Sequence, residues 1–166
     1  MTFAYLKSPR GADPIIVEGT FPASPERIFR AFTAPEDLVQ WFGNHALEKA
    51  EVDLRVGGSW VFTFAEKDGE RDILHGQYGE IDPGRTLVFT WRHHKETAEG
   101  KGEVSPASEV AVSFTAVKDG THVRLIHSLV GTESARLNIC GGWDDCFGDL
   151  DRILQGEAPA ATAATA

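Results

Sequence analysis

Large apolar side chains recur at every second position in one segment of this chain after another. The sets are Trp60, Phe62 and Phe64; Leu87, Phe89 and Trp91; Val110, Val112 and Phe114; and Val123, Leu125, His127 and Leu129. A period of two belongs to the β-strand, whose successive side chains point to opposite faces. Each segment therefore has an apolar face that must be buried. Ala50, Val52 and Leu54 place a further strand before them, and "DILHGQYGEI" one between them. The connections "KDGE" (67–70), "DPG" (82–84) and "KDG" (118–120) are turn signals, which makes the arrangement an antiparallel meander. The polar run "HHKETAEGKGEVSP" (93–106) reads as a long loop, with His93 and His94 solvated.

A different period appears at the end. Cys140, Trp143, Phe147, Leu150 and Leu154, flanked by Ile139, Cys146 and Ile153, form a stripe at helical spacing from about Glu133 to Leu154. A stripe of this width fits a helix lying on a sheet. Near the start, "IIVEGTF" (15–21) alternates as a strand. Two short helices follow it. Ser24 caps the first with Pro25 at its first position. Thr33 and Glu36 have the spacing of a capping box for the second. The expected fold is α+β, a curved antiparallel sheet of six or seven strands wrapped around a long C-terminal helix. Gly57-Gly58 then supplies a bend between strands. It is not an anion-binding loop, because the run after it is a strand and offers no helix N-terminus. Residues 13–155 form one domain on this reading. The first dozen residues are expected to be loose, and 156–166, ending in "EAPAATAATA", to be a disordered tail.

The net charge of −9 disfavours nucleic acid and anionic lipid surfaces. No apolar run approaches the roughly 20 residues of a membrane-spanning helix. The first residues lack the apolar core of a signal peptide. Cys140 and Cys146 make no disulfide framework. The expected location is the cytoplasm, and a monomer and a homodimer are equally compatible with the sequence.

Several segments in this order resemble the START-like, or SRPBCC, superfamily. They are "FPASPERIFRAFTAPEDLVQWFG" (21–43), "DLRVGGSWVFTF" (53–64), "HGQYGEIDPGRTLVFTW" (75–91), "SEVAVSFTAVKDGTHVRLIHS" (108–128) and "GWDDCFGDLDRIL" (142–154). The likeness is to its branch related to the activator of the heat-shock-protein-ninety ATPase. The resemblance implies a helix-grip fold with a cavity between sheet and long helix. It implies binding of a small hydrophobic molecule there, and in some relatives a cyclisation or hydrolysis. A few relatives are co-chaperones, but these carry an extra N-terminal domain for which 166 residues leave no room, so a chaperone partner is not favoured. Relatives often have a histidine where this chain has Ile139, which implies a less polar cavity at that end. No cofactor is implied.

On this plan Trp60, Phe62, Phe64, Phe89 and Trp91 line the concave face. Trp41 and Phe42 rim its mouth, and Trp143 and Phe147 form the roof. Each is equally an ordinary core residue of a small domain. His127 faces inward by alternation and needs a polar partner, either a structural one or a ligand. His75 and Tyr78 have opposite parity on one strand. Ile73 and Ile81 tilt the choice toward His75, while Gly76 and Gly79 allow a bulge that would favour Tyr78. Cys140 approaches His75 or His127 across the cavity, yet no spacing supplies the three or four ligands of a zinc site. His127 or His75 is the acid–base candidate if the cavity is catalytic. No inward carboxylate stands out as its partner. Gly142 sits at the edge of the helix stripe, where close approach to a strand would favour it. Gly141 and Gly148 have no such reason.

Overall fold

A computed structural model describes residues 3–157. It contains β1 (Ile15–Phe21), α1 (Pro25–Thr33), α2 (Pro35–Trp41), β2 (Leu47–Val52), β3 (Ser59–Phe64), β4 (Arg71–Asp82) and β5 (Thr86–Thr97). These are followed by β6 (Gly100–Lys101), β7 (Ser108–Val117), β8 (Gly120–Ser128) and α3 (Glu133–Glu157). The sheet is antiparallel and open, in the order β1-β8-β7-β5-β4-β3-β2, with the two-residue β6 beside β5. The two short helices and α3 cover its concave face. This is the α+β architecture expected from the alternation, with eight strands in place of six or seven, in the helix-grip layout that the resemblance implied.

The strand faces follow the register. Trp60 and Phe62 lie beside Gly76 and Leu74 of β4, and Val110 and Val112 lie beside His127 and Leu125. Ile15, Val17, Leu87, Val110, Leu125 and His127 are almost wholly buried. Ser24 accepts a hydrogen bond from the Arg27 amide and caps α1, with Pro25 in its first turn.

Four local expectations are corrected. Thr33 does not cap α2; it is the last residue of α1, and its hydroxyl bends back to the Phe29 carbonyl at 3.0 Å. Ala34 holds the cap position without a side-chain bond. The supposed loop after Trp91 is largely strand, because β5 continues through His93 and Lys95 to Thr97 before turning into β6. Leu129 lies beyond β8 with positive φ and is exposed. Leu54 likewise lies outside β2 and is exposed.

Residues 5–8 lie along β1, where Lys7 donates to the Ile16 carbonyl and Glu18 to that of Tyr5. The Tyr5 and Leu6 amides donate to Asp144 Oδ1 on α3, clamping this strap to the helix. Helix α3 runs on through Glu157, which pairs with Arg27 at 2.9 Å. The rest of the expected tail, 158–166, lies outside the described residues.

Gly57-Gly58 is a tight turn locked to β4. Gly57 has φ +84°, and a Cβ on Gly58 would sit 2.1 Å from the Asp53 carbonyl oxygen. The Gly57 amide donates to the Tyr78 carbonyl, and the Tyr78 amide donates to that of Gly58. The turn therefore pins β4 at Tyr78, where its register shifts between Tyr78 and Glu80.

Candidate functional site

That register shift settles which side chain of β4 enters the concave face. Without it Tyr78 and Ile81 would point to opposite sides. With the bulge at Gly79, Tyr78 pairs beside Phe89 and Ile81 beside Leu87, and both join the core. His75 takes the other face, reversing the preference drawn from Ile73 and Ile81. There His94 Nδ1 lies 3.3 Å from His75 Nε2, and Glu96 lies 3.4 Å from His94 Nε2. Burial lowers the His75 pKa, helped by repulsion from His94, Lys101 and Arg92. Among the described residues no group of three or more His, Cys, Asp or Glu is placed to hold a metal ion.

His127 faces inward and is completely buried. Trp143 Nε1–H donates to His127 Nδ1 at 3.1 Å, so the imidazole proton sits on Nε2. That proton goes to Ser108 Oγ at 2.8 Å, and the Ser108 hydroxyl donates to the Trp91 carbonyl at 3.3 Å. Both ring nitrogens are thus used within the protein, in a chain that ties α3 to β8, β7 and β5. Burial pushes the His127 pKa down to about 3, so the ring is neutral near pH 7. A neutral ring with both nitrogens engaged is a poor proton carrier.

The aromatic rings line two adjoining spaces, and Phe42, Trp91 and Trp143 border both. Trp41, Phe42, Trp60, Phe62, Tyr78 and Phe89 surround a space of only about 20 Å³, room for little more than one water. Trp41 does not rim a mouth; it is buried, and its Nε1–H donates to the Ala31 carbonyl. Trp60 Nε1–H reaches the Thr90 carbonyl at 3.2 Å. Gly76 makes room for that contact, since a Cβ there would lie 2.8 Å from the indole nitrogen. Phe147 packs on Tyr5, Phe21 and Phe32 and meets Trp143 edge-on, without lining this space itself. Cys140 is buried, and its thiol donates to the Leu137 carbonyl.

Beside this closed centre lies an open cleft of about 540 Å³ between β3–β5 and the first half of α3. Phe42, Phe64, Leu74, Trp91, Ile139 and Trp143 give it apolar walls. Trp91 and Trp143 lie 5.6 Å apart between ring centres, each also near Phe42. Cys146 reaches this cleft, and burial pushes its thiol pKa up to about 12, so it carries no thiolate. Gly142 also borders the cleft, and nothing lies within 4 Å of where its Cβ would be. The expected close approach to a strand is absent; the missing side chain leaves open space instead.

The polar wall comes from residues that the sequence pattern passed over. Asp72, His93 and Lys95 project from β4 and β5 into the cleft. His93 Nε2 lies 2.8 Å from Asp72 Oδ1, and Lys95 Nζ lies 3.2 Å from the same oxygen. Burial acts to raise the Asp72 pKa, but the hydrogen bonds from His93 and Lys95 and the Lys95 charge outweigh it, and the net shift is downward. The signal was in the sequence: His93 and Lys95 continue the two-residue period of Leu87, Phe89 and Trp91.

Comparison with known proteins now bears on this arrangement. Residues 22–155 match the family described as activator of Hsp90 ATPase homolog 1-like protein. The chain belongs to this family. Membership suggests ligand binding or a chaperone-associated role. A search of curated proteins finds no match. Among solved structures, a Chromobacterium violaceum protein is 22% identical, with a TM-score of 0.71 over 87% of this chain and 99% of that one. A Rhizobium loti protein is 26% identical, with a TM-score of 0.68 over 84% and 94%. A Mycobacterium smegmatis protein is 18% identical, with a TM-score of 0.72 over 94% and 99%. These likenesses support the shared fold. No helix among the described residues is long and apolar enough to cross a membrane.

Proposed function

We propose that this protein binds a small apolar or aromatic molecule in the cleft between β3–β5 and the first half of α3. The observation that carries the reading is the contrast between a filled aromatic centre of about 20 Å³ and an adjoining open space of about 540 Å³ walled by Phe64, Trp91 and Trp143. A few hundred cubic ångströms with apolar walls and a few polar groups is the usual form of a small-molecule site. The ligand stacks against Trp91 and Trp143, gaining apolar burial and ring contact.

The test is titration of the full chain with apolar aromatic probes such as N-phenyl-1-naphthylamine, followed by tryptophan quenching and probe emission. Saturable binding is expected. Gly142→Leu projects a side chain into the cleft from a helical position with free space around it. It should abolish binding while the melting temperature holds or rises. Binding unchanged in Gly142→Leu, or no saturable binding in the wild type, overturns the proposal.

A further inference from the structure

We infer that the cleft selects a neutral aromatic ligand carrying a hydroxyl group, which donates its hydrogen to His93 and meets Asn138 on the opposite wall. This rests on the cleft being the binding site. A second hollow of about 520 Å³ shares Leu74, Trp91, His93, Asn138 and Ile139 with the cleft. These five residues therefore lie where the two spaces meet. Three of them are apolar. The two polar ones come from different walls, His93 from β5 and Asn138 from α3.

The chemistry of each polar residue narrows the ligand. The Asp72 carboxylate only accepts hydrogen bonds, so the His93 ring places a hydrogen on Nε2 in the 2.8 Å contact. When the ring carries one hydrogen, Nδ1 is a lone pair, and no partner for it lies among the described residues. The Ser105 hydroxyl takes the backbone amide of His93, not its ring. Asn138 offers both a donor and an acceptor, and its side chain also has no partner among the described residues. A hydroxyl group satisfies both: it donates to Nδ1 and accepts from the Asn138 amide. A carboxylate fits poorly. Lys95 is already paired with Asp72 at 3.2 Å and Glu70 at 3.5 Å, and those carboxylates repel an anion.

Three probes of one ring system separate the possibilities: 2-naphthol, 2-methoxynaphthalene and 2-naphthoate, titrated at pH 7.5 against tryptophan fluorescence. The naphthol should bind about fivefold more tightly than the methoxy compound, the ratio expected of one hydrogen bond. The naphthoate should bind weakest. His93→Phe keeps a ring in place and removes the acceptor, so the ratio should fall to about one while the methoxy compound still binds. Asp72→Asn acts through His93, because an amide can also donate to Nε2 and permit the other tautomer; the ratio should fall without loss of methoxynaphthalene affinity. Equal binding of naphthol and methoxynaphthalene by the wild type overturns this inference and leaves the binding site standing. So does a ratio unchanged in His93→Phe. If none of the three binds, the site itself is lost and the inference with it.

Discussion

Trp60 and Phe64 stand four residues apart on the same face of β3, and their surroundings have little in common. Trp60 is 2% exposed, with its rings against Phe62, Phe89 and Trp91 and its indole N–H bonded across the sheet. Phe64 is half-buried, touches Phe42, and opens onto the cleft. Both obey one alternation. What differs is the layer above: Phe32, Leu38 and Trp41 from the two short helices close the space at the Trp60 end, whereas beyond Phe64 the α3 wall includes Gly142, with no atom within 4 Å of where its Cβ would be. Strand period determines which face is apolar. It does not determine whether another element covers it.

The largest expected effect tests that division directly. Trp60→Ala should cost about 3–5 kcal/mol of unfolding free energy, as expected for truncating a fully buried tryptophan. Phe64→Ala should cost about 1–2 kcal/mol, because only part of its ring is removed from water. The order should invert for ligand: Phe64→Ala should weaken probe binding, and any Trp60→Ala variant that remains folded should bind nearly as the wild type. Urea denaturation and probe titration on the two variants check both halves. Equal losses of stability would mean that the two patches are one continuous core.

A second test concerns the joint between the patches. His127 holds Trp143, a cleft wall, to Ser108 and through it to the Trp91 carbonyl. Its folded pKa is about 3 against an ordinary value of 6.5. Between those values the unfolded chain binds the proton and the folded chain does not. Stability from this residue is therefore complete above about pH 6.5 and is lost as pH falls toward 3. The wild type should lose on the order of 2–3 kcal/mol between pH 6.5 and 4.5 from this group, at about 1.36 kcal/mol per unit. His127→Gln can accept from Trp143 and donate to Ser108 but does not titrate. Its denaturation midpoint should fall less steeply over the same range, and parallel pH profiles would remove His127 as the cause.

Much of this architecture was legible in the sequence because apolar alternation and the helical stripe both report burial. The departures have physical causes. His75 and Tyr78 could not be ordered by parity, because one extra residue at Gly79 changes the phase of β4 and leaves no trace in hydrophobicity. Thr33 matched a capping spacing, but its hydroxyl is equally able to bond back within the helix it ends. The polar wall was missed for a different reason. His93 and Lys95 kept the strand period, yet their charge resembled that of a solvated loop, and strand patterns are usually sought in apolar residues. Asp72 was invisible as their partner until β4 and β5 were aligned, since 21 residues separate it from His93.

The smallest effect sharpens the comparison most, because it separates folding from function at adjacent positions. Gly141 and Gly142 both lie within α3, and neither has an atom within 4 Å of where a Cβ would be. Replacing either by alanine should raise stability by about 0.5–1 kcal/mol, since glycine is a poor residue inside a helix. Folding alone therefore gives no reason for either glycine. The cleft distinguishes them, because Gly142 borders it and Gly141 does not. Gly142→Ala should lower probe affinity by about two- to threefold, on the order of half a kcal/mol for one methyl group in the ligand's space. Gly141→Ala should leave affinity unchanged. Parallel melting curves and titrations on the two variants decide the matter. If both gain stability and both keep full affinity, the open space beside Gly142 is not where the ligand sits.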